Sequence, residues 1–207
     1  MSAVPVPTSA ADVFGAALPA AVTYAGILAT RGVEQGLLGP REVPRLWDRH
    51  LLNCAVVAEL IEQRRGTLLD LGSGAGLPGL VLAMVLPGMT ITLLEPMERR
   101  CRFLTECVTE LGVANVSVLR GRAEEVTVRT DVVTARAVAP LPRLAELAMG
   151  VVRPGGMVLA IKGRTAADEL KAAGPVLRRI GARDARVVPA GQGKVVPATT
   201  VVRFFAR

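Results

Sequence analysis

The chain has 207 residues, 51% of them apolar and 21% charged, which excludes wholesale disorder and is long enough to bury about 70% of the unfolded surface in one core. Twenty-five lysines and arginines against 18 acids leave a net charge of +7, which favours a polyanionic partner, nucleic acid first. Three cysteines with no Cys-x-x-Cys pair and a single histidine, His50, exclude a disulfide scaffold, a zinc ribbon and a His-rich metal site.

Residues 1–10 read as a loose tail and 11–30 as one or two helical pieces. The stretch 13–30 carries no charge and is long enough to span a membrane. It is rich in Ala, Gly and Thr, however, and Pro19 interrupts it. Asp12 precedes it, and no Lys or Arg occurs in the first thirty residues. Neither a membrane span nor a signal peptide is therefore expected, but a packed helix of a soluble, cytoplasmic protein. Gly32, Gly36, Gly39 and Pro40 mark a loop. A second helical stretch follows over 43–63, with Leu51, Leu52, Ala55, Val56 and Leu60 at helical spacing.

From Thr67 short apolar runs alternate with helices. The spacing predicts a strand over 67–71, a glycine-rich turn and a helix to Leu86 that Pro87-Gly88 stops. A strand at 90–95 leads into a helix at 97–111 closed by Gly112. Strands at 115–121 and 131–137 precede a helix at 140–151, stopped by the Arg-Pro-Gly-Gly of 153–156. A strand at 157–162 is followed by a helix at 165–180, with a break at Gly174-Pro175. Two strands, 185–190 and 199–206, are joined by the glycine-rich loop 191–194. This is an α/β pattern: a seven-stranded, mostly parallel sheet with helices on both faces and one antiparallel edge strand. The chain reads as one domain, with 1–65 a helical extension and 66–207 the core.

The strongest motif is LLDLGSGAGLPGL at 68–80. Gly72, Gly74 and Gly76 follow a strand and precede a helix, where a sharp turn must let a ligand approach without a Cβ in the way. Gly74, Gly76 and Gly79 also fit the dinucleotide spacing G-x-G-x-x-G. Asp70 weighs against that frame, because a carboxylate at the strand end repels a pyrophosphate. It attracts S-adenosylmethionine, which carries a sulfonium, an amino group and no phosphate. Glu95 ends the second strand, where a carboxylate accepts hydrogen bonds from ribose hydroxyls. The turn at 121–125 after the third strand brings Glu124, or the backbone at Ala123, to the place expected for the adenine.

At these residues the chain resembles the class I S-adenosylmethionine-dependent methyltransferases, with their Rossmann-like fold. More specifically, it resembles the bacterial ribosomal RNA small subunit methyltransferase G family, also called glucose-inhibited division protein B. The resemblance runs in the family's order through LWDRHLLN (46–53), LLDLGSGAGLPGL, LLEPMERRCRFL (93–104), GRAEEV (121–126), VVTARAVAPL (132–141) and LAIKG (159–163). It implies methylation of N7 of a guanine in 16S rRNA, free or in a small-subunit particle, by a monomer. It also implies a cofactor shell of Gly72, Leu77, Ala123 with Glu124, and Arg136. Asp70, Gly74, Gly76 and Glu95 belong to the broader methyltransferase pattern. The chain departs at His50-Leu-Leu-Asn53-Cys54, where the family often has His-x-x-Asp-Ser, so no role is carried over for that Asp. The family's Asn-rich loop has no clear counterpart in residues 31–40.

The chemistry agrees with the resemblance. N7 of guanine has an exposed lone pair and no proton to lose, so its methylation needs alignment and electrostatics rather than a general base. The Asn/Asp-Pro-Pro-aromatic signature of exocyclic-amine methyltransferases is missing after strand four. Cys101 and Cys107 lie within a helix and read as packing residues rather than nucleophiles. Arg136, after strand four, is the catalytic candidate, orienting either the cofactor carboxylate or the guanine. A structural ion pair with Glu124 or Asp131 is its alternative. Arg99, Arg100, Lys162 and Arg164 form a candidate basic rim for RNA phosphates. His50 is either a substrate contact at that rim or a packed, hydrogen-bonded residue. With 3% aromatics, the chain is poor in stacking platforms for a general single-strand binder. Other readings are a class I methyltransferase acting on a small molecule or protein, an RNA-binding protein with a vestigial cofactor fold, and a nicotinamide-dependent oxidoreductase.

Overall fold

The computed structural model describes residues 4–207, so the first three residues of the expected tail lie outside it. Helix begins at Ser9, earlier than expected, with α1 (Ser9–Phe14) and α2 (Leu18–Ile27). The stretch 43–63 is not one regular helix. A 3-10 turn over Pro40–Arg45 passes into a wide π turn over Leu46–Leu51, the short α3 (Leu52–Ala55) and a second 3-10 turn over Val56–Leu60. Pro44 has no N–H for a continuous ladder. The wide turn puts Leu46, Trp47, His50 and Leu51 in the interior together.

The core follows the expected alternation: β1 (Gly66–Leu71), α4 (Gly79–Val85), β2 (Met89–Glu95), α5 (Glu98–Leu111), β3 (Val116–Arg120), β4 (Thr130–Arg136), α6 (Leu141–Met149), β5 (Val152–Lys162), α7 (Ala166–Arg179), β6 (Arg183–Ala190) and β7 (Thr199–Phe205). The sheet order is β3-β2-β1-β4-β5-β7-β6. The first five strands pair in parallel, and β7 runs antiparallel to both β5 and β6. The antiparallel pairing thus lies at one edge of the sheet, as expected, with β7 second from the edge and β6 outermost.

The central strands β1 and β4 are buried on both faces, which is why they read as nearly unbroken apolar runs, whereas the outer strands β3 and β6 are half-buried or exposed along most of their length. Leu68, Ile91, Leu93, Leu159 and Val201 face α4, α5 and the N-terminal helices. Leu69, Val133, Val158, Val202 and Phe204 face α6 and α7. Two expected breaks are absorbed. Thr130 pairs with Val152 and Val132 with Met157, so 153–156 bulges out of a strand that continues through it. Helix α7 runs through Pro175, where Lys171 and Pro175 are both exposed. The carbonyl that the proline cannot satisfy therefore lies on the solvent side.

The helical run Ser9–Gly32, 24 residues, has the length and hydropathy to cross a membrane. In the fold it forms a layer against the sheet domain, burying Phe14, Ala21, Tyr24, Ala25 and Leu28. Tyr24 reaches furthest. Its hydroxyl, fully buried, donates to the Ala75 carbonyl in the glycine-rich loop after β1. Gly76 (φ +94°) makes room for it, since a Cβ there would lie 2.8 Å from that hydroxyl. Tyr24→Phe leaves the Ala75 carbonyl without this donor, so urea unfolding should show a loss of about 1–2 kcal/mol. Unchanged stability would mean that the loop does not depend on the helical layer.

Candidate active site

The strand order reverses between β1 and β4, and a doubly wound sheet opens its ligand crevice at the carboxyl ends of the strands flanking such a point. A cavity of about 410 Å³ lies there, lined by Gly72, Glu95, Met97, Ala123 and Glu124 among others. A second, of about 250 Å³, is lined by His50, Gly74, Leu77 and Arg136. Both include Gly72, Arg100 and Ala137, so the two form one elongated cleft with Glu95 at one end and Arg136 at the other. The junction residue Ala137 has φ +55°, a left-handed conformation costing about 1–2 kcal/mol for a residue with a Cβ. That bend turns the chain between Arg136 and the Val138-Ala139 wall of the first cavity.

Glu95 is buried, and its carboxylate knits two segments together. One oxygen accepts from the Gly74 N–H at 3.0 Å and the other from the Met97 N–H at 3.0 Å. The Arg100 guanidinium stands 3.8 Å from it. Each carboxylate oxygen keeps a further acceptor site toward the cavity, which suits a ribose diol. The backbone at Gly121 is fixed to the same strand end by donation to the Glu95 carbonyl at 3.2 Å. This brings Ala123 and Glu124 to the cavity wall. Glu124 itself is exposed and ion-paired with Arg143.

Asp70 behaves differently from expectation. It does not line the cleft but turns beneath the loop, where one oxygen accepts from the Gly79 N–H at 3.0 Å and the other has no partner. Gly79 is glycine for that reason: a Cβ there would lie 2.3 Å from Leu93 and 2.6 Å from the Asp70 carboxylate. Burial is the main cause that pushes the Asp70 carboxyl up to about 7. Asp70 disfavours a dinucleotide by another route than the one expected. It occupies a backbone N–H at the start of α4 that a pyrophosphate would use. The carboxylate at Glu95, the backbone wall at Gly72 and Ala123, and the cation at Arg136 fit an adenosine ligand that ends in an amino acid.

Arg136 is not in an ion pair with Glu124 or Asp131. Its Nη2 donates to His50 Nδ1 at 2.8 Å and its Nη1 to Cys54 Sγ at 3.3 Å. His50 is buried, so it lines the second cavity and holds Arg136 rather than standing on an RNA-facing rim. Its Nε2 lies 2.8 Å from Glu42. The other rim candidates divide. Lys162, its side chain 9% exposed, pairs with Glu169 at 2.8 Å and donates to the Ala139 carbonyl at 3.2 Å. Its ammonium is engaged by these two groups, whereas the sequence reading has it free on the rim. Arg100 belongs to the cleft wall. Arg99 and Arg164 are exposed, with no acidic partner among the described residues. Tyr24, Glu42 and the cavity wall at Leu37 and Leu38 were not singled out from sequence. Cys101 and Cys107 are buried as expected.

Two measurements test this geometry. Glu95→Ala should weaken S-adenosylmethionine binding by about 10–100-fold in calorimetry, since a hydrogen bond to a charged group contributes about 1.5–3 kcal/mol. An unchanged dissociation constant would remove Glu95 from the site. Asp70 makes a prediction about pH. Its carboxyl is raised in the fold from the ordinary 3.8 to about 7, so its contribution to stability is present at low pH and is lost as pH rises through that window. The melting temperature of the cofactor-free protein should therefore fall between about pH 4 and 7 and level off above, and Asp70→Asn, which keeps an acceptor for Gly79, should flatten that fall. Equal slopes in the two proteins would show that Asp70 does not titrate there.

The model of the rRNA small subunit methyltransferase G family matches residues 17–194, from α2 to the loop before β7. The ribosomal RNA small subunit methyltransferases G of Streptomyces coelicolor and Thermobifida fusca are 55% and 57% identical to this chain over 202 and 201 residues. Both alignments cover 96% of this chain and 84% of the relative. Among solved structures, a SAM dependent methyltransferase from Aquifex aeolicus superposes with a TM-score of 0.59 at 21% identity, over 82% of this chain and 100% of that one. That is a likeness of fold. With the family model matching 178 of 207 residues (17 to 194 inclusive) and relatives above half identity across almost the whole length, the chain belongs to the rRNA small subunit methyltransferase G family.

Proposed function

We propose that this chain methylates N7 of a guanine in 16S rRNA, acting in the cytoplasm as a monomer and a single domain on RNA of the small ribosomal subunit. The observation that carries the choice of atom is the cleft's lack of a free base. Both ring nitrogens of His50 are engaged, by Arg136 and by Glu42. Asp70 is turned beneath the loop onto Gly79, Glu95 accepts from the Gly74 and Met97 N–H groups, and Glu124 is paired with Arg143. Burial pushes the Cys54 and Cys107 thiols up, Cys107 to about 12, so neither offers a thiolate. Such a site suits a nucleophile that needs no proton removed, as N7 does.

S-adenosylmethionine supplies an electrophilic methyl group on a sulfonium. The chain contributes position and charge. Glu95 and the loop it holds fix the ribose end, and the Ala123 turn bounds the adenine. Arg136 stands at the far end, where its fork can hold a carboxylate or the guanine O6 edge. Arg99 and Arg164 lie exposed near strand ends on the cleft side and take RNA phosphates.

Mapping N7-methylguanine in 16S rRNA with and without the protein, on naked RNA and on small-subunit particles, tests this reading. A mark on another atom, or on a protein or small molecule alone, would overturn it. RNA affinity should fall steeply with salt. Arg99→Ala with Arg164→Ala should reduce the slope of log K against log salt by about 0.7–0.9 per residue, while Lys162→Ala leaves it unchanged. A slope altered by Lys162→Ala alone would restore that lysine to the RNA surface.

A further inference from the structure

Arg136 lies at the end of the cleft away from Glu95, and β4 does not seat it alone. The 3-10 turn Pro40–Arg45, the π turn Leu46–Leu51 and α3 supply its partners. We propose that Glu42, His50 and Cys54 form a positioning relay, in which Glu42 selects the tautomer of His50 and His50, with Cys54, fixes the plane of the Arg136 fork. The inference rests on the reading above that Arg136 faces the cofactor or the guanine.

The hydrogen-bond inventory leaves one consistent arrangement. A guanidinium only donates. Its Nη2 lies 2.8 Å from His50 Nδ1, so Nδ1 must present a lone pair. The ring proton is then on Nε2, 2.8 Å from Glu42 Oε2, which accepts it. The other tautomer would set an N–H against an N–H at one end of the ring and a lone pair against a carboxylate at the other. Glu42 is itself oriented, because its second oxygen accepts from Arg49 at 3.1 Å.

The charges facing the ring are Arg136 from β4 and Glu42 and Arg49 from the 40–51 segment. Burial, then Arg136, lowers the His50 pKa, while Glu42 opposes them, and the net shift is downward. The ring is therefore neutral near neutral pH. Cys54, buried with its thiol pushed up, meets Nη1 at 3.3 Å as a soft, uncharged acceptor. Nη1 and Nη2 are thus both engaged on the protein side, and the fork cannot swing. A lysine or an unsupported arginine would point into the cleft without a fixed plane.

His50 is the chain's single histidine, so protein carrying ¹⁵N-histidine yields one pair of ring nitrogens without assignment. In the cofactor-free wild type near neutral pH the expected species is the neutral ring protonated on Nε2. Glu42→Gln removes the charged acceptor and should give a mixture of tautomers. It should also cut methyl transfer to 16S rRNA by about 10-fold or more, as misalignment does, with the melting temperature nearly unchanged.

Two substitutions of His50 separate positioning from packing. His50→Asn can keep an acceptor where Nδ1 stood, whereas His50→Gln can keep only the donor toward Glu42. The asparagine variant should therefore transfer methyl groups at least about 5-fold faster than the glutamine variant, as alignment effects of this size allow. A wild-type ring protonated on Nδ1, or charged, overturns the relay, and so do equal rates in the two His50 variants. So does wild-type turnover in Glu42→Gln with a shifted tautomer. The nitrogen spectrum needs neither cofactor nor RNA. If wild-type protein left 16S rRNA unmethylated, the functional reading would fall while the tautomer result still decided whether Glu42 governs His50.

Discussion

The loop after β1 must hold a ligand with almost no side chains of its own. Glycine there is required by the turn, and it leaves the backbone with more freedom to lose than any other residue would. That freedom is removed from outside, by three groups on three elements. Tyr24 on α2 binds the Ala75 carbonyl, Glu95 on β2 binds the Gly74 N–H, and Asp70 on β1 binds the Gly79 N–H. The N-terminal helices are therefore part of the site and not an appendage to it. The family match beginning at residue 17 includes α2 with the sheet.

The acids that do this work are withdrawn from the surface. Glu95 and Asp70 are buried, Glu42 faces His50, and Asp131 binds the Thr67 N–H at the opposite end of β1. A chain with 18 acids thus spends several of them internally, while arginines such as Arg41, Arg45, Arg99 and Arg164 stay exposed. The surface is accordingly more basic than the composition suggests, which suits a polyanionic substrate.

The strands and helices, the mostly parallel sheet and the place of Glu95 at a strand end were legible because they rest on local signals. Apolar runs of strand length, glycines at a turn and an acid at a strand end all leave marks within a few residues. What escaped notice depends on contacts distant in the chain. Asp70 reads as a ligand-facing acid at its strand end, and only the approach of Gly79 shows it turned away. Lys162 reads as a free cation until Glu169 and the Ala139 carbonyl come into view. Tyr24 meets Ala75 across 51 residues and His50 meets Arg136 across 86, and no periodicity announces such pairings. Helix continuity over 43–63 was overestimated because spacing records which residues are buried but not how tightly the turns are wound.

Ala137 carries a cost that a glycine in its place would not. A glycine would accept the left-handed bend and relieve about 1–2 kcal/mol of strain, a gain offset in part by about 0.5–1 kcal/mol of extra backbone entropy lost on folding. It would also widen the range of directions in which β4 can deliver Arg136 into the cleft. The alanine gives up equilibrium stability for a narrower distribution of poses. At this bend the chain is built for reproducibility of one side chain's direction rather than for the depth of its own energy minimum.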